Sequence, residues 1–245
     1  MMKKIISALL LSAFYVFAQS SSNSNENDEY YHAHKGFYFS VNTGIVLANL
    51  SQKTTSFPDK NVEKEKENYS GYLGYDEFRL GGSIANVASI YGALGWGYGS
   101  GRYEDEIERT GTQLHREGSF EEDGDDDFRF LLGIGGEFYP FQDKESPFYG
   151  LFLGICPGLI IDIVTITDHY YNSIYDNTIT VSFANIFCRF EIGKDFWISR
   201  RWSLGFALNY TIGGLEEETG VEYLNEIEHE SNSSYSIGLM IRISH

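Results

Sequence analysis

The sequence predicts an all-β protein: an eight-stranded antiparallel up-and-down transmembrane β-barrel. Two observations support this: eight segments alternate apolar with small or polar residues, and the connections between them are alternately short and long. A period of two indicates strands, and about ten residues is the length of a tilted strand that crosses a membrane. The segments are approximately 36–47, 75–86, 88–100, 127–139, 148–165, 178–194, 202–213 and 234–243.

The connections alternate in length along the chain. Those after the second, fourth and sixth segments are short, and the others are longer and polar. A meander with short turns at one end and long loops at the other describes an outer-membrane barrel. An even number of strands also returns both ends of the barrel to the short-turn side, which we expect to face the periplasm.

The two faces of each segment differ in a way that predicts which one meets lipid. In 202–213, large apolar residues alternate with small or uncharged ones: Ser203, Gly205, Ala207, Asn209 and Thr211. Small residues suit the interior of a narrow eight-stranded barrel. The large apolar face is almost free of charge, as lipid contact requires, because a charge at mid-bilayer costs roughly 2–4 kcal/mol. The apolar face is therefore predicted to point outward.

One stretch carries a resemblance to a known family. The sequence "GKDFWISRRWSLGFALNYTIGG" (193–214) resembles the turn between the sixth and seventh strands of small outer-membrane barrels of the OmpA/OmpX type. In composition and layout, the similarity covers the chain from Gly36 onward. It implies an integral outer-membrane β-barrel.

The beginning of the chain predicts export. Two lysines precede the apolar run Ile5–Phe17, and a small-residue cleavage site stands before Gln19. This is the layout of a cleaved signal peptide, so we expect residues 1–18 to be removed. The polar segment 19–35 is expected to be a flexible periplasmic leader, and 36–245 the barrel with long acidic extracellular loops. The predicted location is the outer membrane.

With the apolar face outward, eight charged residues fall inside the barrel: Glu77, Arg79, Arg129, Glu137, Asp162, Arg189, Glu191 and Arg242. Charges in a narrow lumen must be paired, because an isolated buried charge is very costly. We expect two layers of ion pairs, namely Arg79 and Arg129 with Glu77 and Asp162, and Glu137 and Glu191 with Arg189 and Arg242. The network is either a plug or the lining of a gated ion path, and eight strands favour the plug.

The acidic loops indicate which kinds of partner the protein can bind. The stretch 101–127 holds eleven carboxylates and three arginines, and 214–233 holds seven carboxylates and no lysine or arginine. Asp123, Asp125 and Asp127 have the spacing of a calcium loop, but the glycine and distal glutamate of such a loop are missing. We expect a solvated rim that gathers divalent cations loosely. Other expected partners are outer-membrane lipid and an unknown extracellular molecule. Nucleic acid is excluded by the charge, and a monomer is expected.

Three functions remain open at this point. The first is a structural or surface-interaction role, similar to that of an adhesin, through the acidic loops. The alternative is a small ion or solute channel through the charged lumen. The third is a lipid-modifying enzyme at the rim, which would need a histidine near an activated serine. His115, His169 and His229 fall in or beside loops with no such pattern, so we expect no enzyme and no cofactor.

The two cysteines, Cys156 and Cys188, lie on neighbouring predicted strands about equally far from the loop between them. This spacing would place them opposite each other, and the periplasm is oxidising. The alternation, however, points Cys156 inward and Cys188 outward, so a disulfide would require a β-bulge near residues 184–185. Free thiols are favoured, and the bonded form stays open.

Overall fold

The computed structural model shows a closed barrel of antiparallel strands. It describes residues 36–56, 63–84, 87–109, 112–116, 126–168, 177–199, 201–221 and 226–245. Within these residues there is no helix long and apolar enough to cross a membrane. The predicted signal peptide and leader, residues 1–35, lie outside the described residues.

The strands are β1 (Gly36–Ser56), β2 (Glu63–Ile84), β3 (Ala88–Arg109), β4 (Thr112–Arg116), β5 (Asp126–Phe138), β6 (Leu151–Asp168), β7 (Asn177–Trp197), β8 (Ser203–Val221) and β9 (Glu226–Ser244). Eight of them form the ring, in which each strand pairs with its neighbours along the chain and β1 closes on β9. Among the described residues, the short β4 pairs only with the end of β3 at the long connections, called the outer end below. The predicted fold class is confirmed.

The strands are longer than predicted, almost entirely at the end with the long connections. The strand predicted at 75–86 begins at Glu63, and the one predicted at 202–213 continues to Val221. Much of each predicted acidic loop is therefore strand that extends the barrel wall. These extensions lack the apolar alternation of the lower strands, which is the reason that the pattern placed the boundaries too early.

Side chains alternate between the two surfaces of the wall as predicted. On β9, Leu239 and Ile241 are 61% and 58% exposed on the outside, whereas Met240 and Arg242, which alternate with them, are buried inside. The other strands repeat this arrangement, so the exterior is a band of exposed apolar residues. The interior holds nearly all buried polar and charged groups.

The turn between β5 and β6 depends on a glycine. Gly150 has a φ of +83°, and its carbonyl oxygen accepts a hydrogen bond of 2.9 Å from the backbone N–H of Asp195. An added Cβ there would lie 2.2 Å from the Asp195 carbonyl oxygen. The strand predicted from residue 148 therefore begins only at Leu151, after this tight turn.

We expect the exterior to tolerate charge according to depth. Ile134, in the middle of β5, is 71% exposed on the apolar band. Ile134→Arg should lower the free energy of unfolding in lipid vesicles by about 2–4 kcal/mol, because the charge must be held within the hydrocarbon. Ile198 is similarly exposed but lies in the turn after β7. Ile198→Arg is the control and should cost at most about 1 kcal/mol near the interface. Equal costs for the two changes would contradict the lipid-facing assignment.

Candidate functional site

The candidate site is the lumen. The structure places all eight sequence-predicted charged residues there and buries each of them: Glu77, Arg79, Arg129, Glu137, Asp162, Arg189, Glu191 and Arg242. They come from β2, β5, β6, β7 and β9, so the closed ring brings together residues that are far apart in sequence.

Glu77 accepts hydrogen bonds from two arginines and a tyrosine. Arg79 Nε donates to Oε1 of Glu77 at 2.6 Å, and Arg189 Nη1 donates to Oε2 at 2.5 Å. The Tyr75 hydroxyl donates to Oε2 at 2.9 Å. Each carboxylate oxygen is therefore hydrogen-bonded to a charged donor, the strong class of hydrogen bond.

Arg79 connects Glu77 to the rest of the network. Its Nη1 donates to Glu137 Oε1 and its Nη2 to Glu191 Oε1, both at 2.6 Å. The guanidinium carbon also lies 4.7 Å from the centre of the Tyr91 ring. One planar fork thus bridges three carboxylates, which suits the five fixed donors of arginine and would not suit the single point charge of lysine.

The part of the network nearest the short turns centres on Arg242. Its Nη1 donates to Glu137 Oε1 at 2.8 Å, and its Nε lies 3.2 Å from Oδ1 of Asp195. The Tyr139 hydroxyl lies within hydrogen-bond distance of both carboxylates, 2.9 Å from Glu137 and 3.0 Å from Asp195. The Arg242 guanidinium carbon stacks 4.2 Å from the centre of the Phe152 ring. This end of the lumen is therefore filled by side chains.

The predicted division into two layers differs from the observed arrangement. Arg129 and Asp162 pair as expected, with Nε of Arg129 2.5 Å from Oδ1 of Asp162. Glu77 and Arg79, in contrast, lie with the predicted inner group. The reason is the length of β2: they were placed at its outer end, but the strand extends outward to Glu63 and leaves them in its lower half.

Sequence reasoning missed Asp195 and the tyrosines of the lumen. Asp195 is buried and contacts Arg242 and Tyr139. It has the same parity along β7 as Arg189 and Glu191, so extending the alternation to the end of the strand could have found it. Buried tyrosines were harder to find, because their rings also fit the apolar exterior.

Asp127 is not a rim residue. It is 0% exposed, and it shares the inward parity of Arg129 on β5. Asp123 and Asp125, its predicted partners in a calcium loop, lie outside the described residues. No group of three or more carboxylate, histidine or cysteine side chains that could hold a metal occurs in the parts of the chain that the structure describes.

The cysteines are free in the structure. The β6–β7 register pairs Cys156 with Arg189 and Pro157 with Cys188, one residue away from the symmetric register that the spacing suggested. Cys156 therefore faces the lumen beside Arg189, Cys188 lies on the other face, and the strands need no bulge. His169, the candidate for a rim enzyme, lies outside the described residues, and only the backbone is described at His115 and His229.

The exterior decides the environment of this barrel. A ring whose outward side chains are mostly large and apolar, and whose eight predicted charges are turned inward, is stable only where lipid covers the outside. The chain is an outer-membrane β-barrel.

Comparisons with known proteins give similarities of fold at low identity. No family model and no curated protein matches the sequence. Among solved structures, Ail, the attachment invasion locus protein of Yersinia pestis, in complex with the heparin analogue sucrose octasulfate, is 12% identical with a TM-score of 0.38, over 85% of this chain and 99% of Ail. Neisserial surface protein A is 11% identical with a TM-score of 0.38, over 86% and 96%. AlkL in lipid bilayers is 9% identical with a TM-score of 0.43, over 91% and 96%.

Breaking the network should destabilise the barrel. Glu137→Ala removes a carboxylate that Arg79 and Arg242 share, and it leaves buried guanidiniums short of a partner. We expect a loss of about 3–5 kcal/mol in the free energy of unfolding, measured by urea denaturation in vesicles. Glu145→Ala, in the exposed turn between β5 and β6, is the control and should change it by less than about 0.5 kcal/mol. Similar losses for both would mean that Glu137 is not an inward residue.

The network should also show coupling between its members. Because Glu137 and Arg242 are in contact, the double variant Glu137→Ala/Arg242→Ala should be destabilised by less than the sum of the single variants. We expect a coupling of about 1–3 kcal/mol in a double-mutant cycle of the unfolding free energy. Strict additivity would show that the two side chains act independently.

Proposed function

We propose that this protein is a surface-interaction barrel that acts through its extracellular strand extensions while its lumen stays closed. The observation that carries the proposal is the continuous filling of the lumen. Four carboxylates and three guanidiniums of one network occupy its cross-section, and Arg129 with Asp162 forms a further pair. In this role the barrel is a monomer and catalyses no reaction.

A second layer of side chains supports a closed lumen. Leu50, Tyr69, Val164 and Phe183 form a buried apolar cluster near the outer end, contributed by β1, β2, β6 and β7. These strands lie on different sides of the ring, so the cluster spans the lumen. A path for hydrated ions would have to displace both this cluster and the ionic network.

The extracellular extensions supply the interacting surface in this proposal. The β8–β9 ladder continues from Gly214 to Val221, which at about 3.3 Å a residue is roughly 23 Å of additional strand. The β1–β2 ladder likewise extends to the pair Ser56 and Glu63. The sequence of the β8–β9 extension is acidic, and that of the β1–β2 extension is polar with equal numbers of lysines and glutamates, so both present charge to the medium rather than to lipid.

The second candidate is a small channel, and one feature favours it. The ionic groups form a nearly unbroken series along the lumen, from Asp162 and Arg129 through Glu77 and Arg79 to Arg242. Ion pairs that exchange partners could open a narrow path without moving the backbone.

Conductance in planar bilayers separates the two candidates. We expect the purified barrel to give no steady single-channel current, because breaking several buried ion pairs at once is costly. The matched variants are Arg129→Ala, which opens the outer pair, and Arg201→Ala, which changes an exposed arginine in the turn before β8. A steady current in the unchanged protein that Arg129→Ala alters and Arg201→Ala does not would instead establish the channel.

The surface role predicts loss of binding without loss of the barrel. Replacing residues 103–125, which include β4 and the outer end of β3, with a short Gly-Ser turn should leave a barrel that still shifts on unboiled gels. Cells that display this variant should bind less to surfaces coated with extracellular-matrix protein or with polylysine. An equally large replacement is not possible on the periplasmic side, so the control is a Gly-Ser substitution of residues 142–146 in the β5–β6 turn. Unchanged binding after both replacements would argue against an interaction role for the β3–β4 extension.

A further inference from the structure

The outer ends of β7 and β8 separate, although the strands are neighbours in the ring. Their ladder ends at the pair Ile186 and Gly214. Beyond it, β7 continues outward to Asn177 paired with β6, and β8 continues to Val221 paired with β9. The two hairpins therefore bound a notch, defined here by β7 residues 177–185 and β8 residues 215–221. Within the described residues, each strand pairs only on the side away from the notch.

The notch begins at the outer edge of the apolar band and opens away from the membrane. Ile186 and Ile212, just below it, are 58% and 50% exposed and belong to the lipid-facing exterior. The outward residues of β7 above this level, Ala184 and Ser182, are small. On the neighbouring β6, Ile161 and Ile163 lie beside Ala184 and Ser182 and are 41% and 38% exposed, so the lower part of the notch is flanked by the apolar band and a molecule from the medium enters from above.

Asn185 lies at the base of the notch, on the inward face of β7 that it shares with Arg189, and its amide is unused. It is the first β7 residue beyond the ladder, and it is 3% exposed. Neither its Nδ2 nor its Oδ1 has a hydrogen-bond partner among the described residues. Asn185 lies next to Gly213 of β8: a Cβ added to Gly213 would be only 3.3 Å from the Cβ of Asn185. A buried amide with a free donor and a free acceptor costs free energy, and a peptide backbone group satisfies both.

The sequence of the β8–β9 hairpin selects the charge of an occupant. Glu216, Glu217 and Glu218 fall on the β8 edge, and 214–233 contains no lysine or arginine. A cationic segment is favoured next to such an edge, and a second copy of this chain is disfavoured because its own edge carries the same charge.

We propose that an extended, cationic segment of another protein adds as a strand to the β8 edge and fills the notch. This rests on the surface-interaction function proposed above and names the class of partner. Strand addition satisfies the row of backbone groups that an unpaired edge presents. Because β7 and β8 are antiparallel, one inserted strand can be antiparallel to only one of them. Because the β8 edge is acidic, the cationic segment pairs antiparallel to β8. The end of the segment nearest the membrane reaches Asn185.

The probe for this proposal is a fluorescein-labelled peptide of alternating lysine and valine, about ten residues long, the length of an ordinary strand. It is titrated against the refolded full chain in detergent micelles, and binding is followed by fluorescence anisotropy. A second peptide of the same sequence, N-methylated at alternate residues, keeps the charge but cannot pair along one edge. We expect the methylated peptide to bind at least about tenfold more weakly, since the backbone hydrogen bonds supply the affinity.

Two sets of variants test the place of binding. Continuing the β7–β8 register would pair Ala184 with Glu216, so a disulfide in Ala184→Cys/Glu216→Cys closes the notch. It is made in a Cys156→Ser/Cys188→Ser background. Oxidation should abolish binding and reduction should restore it. Asn185→Ala should weaken binding several-fold. The control is Asn209→Ala. Asn209 is also buried but lies deeper on β8, so its replacement should not weaken binding.

The outcomes separate this inference from the function on which it rests. Equal binding of both peptides, or binding that survives the oxidised cross-link, overturns strand addition at the notch. If cells that display the cross-linked barrel also keep their surface binding, the surface-interaction function stands with a different binding surface. Loss of cell binding after replacement of 103–125, with peptide binding unchanged, would likewise place the wider interaction on the β3–β4 extension. Folding of each variant is checked by its shift on unboiled gels.

Discussion

The pairing of charges in a lumen that excludes water is the constraint on which the rest of this barrel depends. Each buried guanidinium or carboxylate would cost several kcal/mol without a partner. Its partners come from strands far apart in sequence, as when Arg79 of β2 contacts Glu191 of β7. A register slip of one residue would turn every side chain of a strand to the other face. The ionic network therefore stabilises one register of each ladder against its alternatives.

The small residues of the inner face are the complement of this network. Tyrosines lie across the lumen to reach the carboxylates, and they need wall positions without side chains. An added Cβ on Gly95 would lie 2.0 Å from the hydroxyl oxygen of Tyr75, and one on Gly135 would lie 2.6 Å from the Tyr91 ring. The glycines that made the inner face recognisable thus provide space for the Tyr75 hydroxyl that bonds Glu77 and for the Tyr91 ring that lies against Arg79.

A lumen filled in this way leaves the outside of the barrel as the place for function. Below the outer interface, the eight strands are bonded on both sides and present mainly apolar residues to lipid. Above it, the ladders are interrupted between β7 and β8, and strand edges meet the medium. Rigidity and adaptability are therefore divided along the same strands: ion pairs hold the membrane part, and the extensions carry unpaired backbone groups.

Local sequence determined the class of fold, the position of the eight ring strands and the inward direction of the eight predicted charges, because a period of two is a property of consecutive residues. Tertiary structure alone decided the height of each strand in the ring, and hence which charged side chains pair with each other. Glu77 and Arg79 joined Glu137 and Glu191 only because β2 begins at Glu63, and Cys156 faced Arg189 only because the β6–β7 register is displaced by one residue. Asp127 and Asp195 followed the alternation but stood at the ends of their segments, where a charged residue also fits a loop. Pairing depends on ladders between residues distant in the chain, and no local pattern records it.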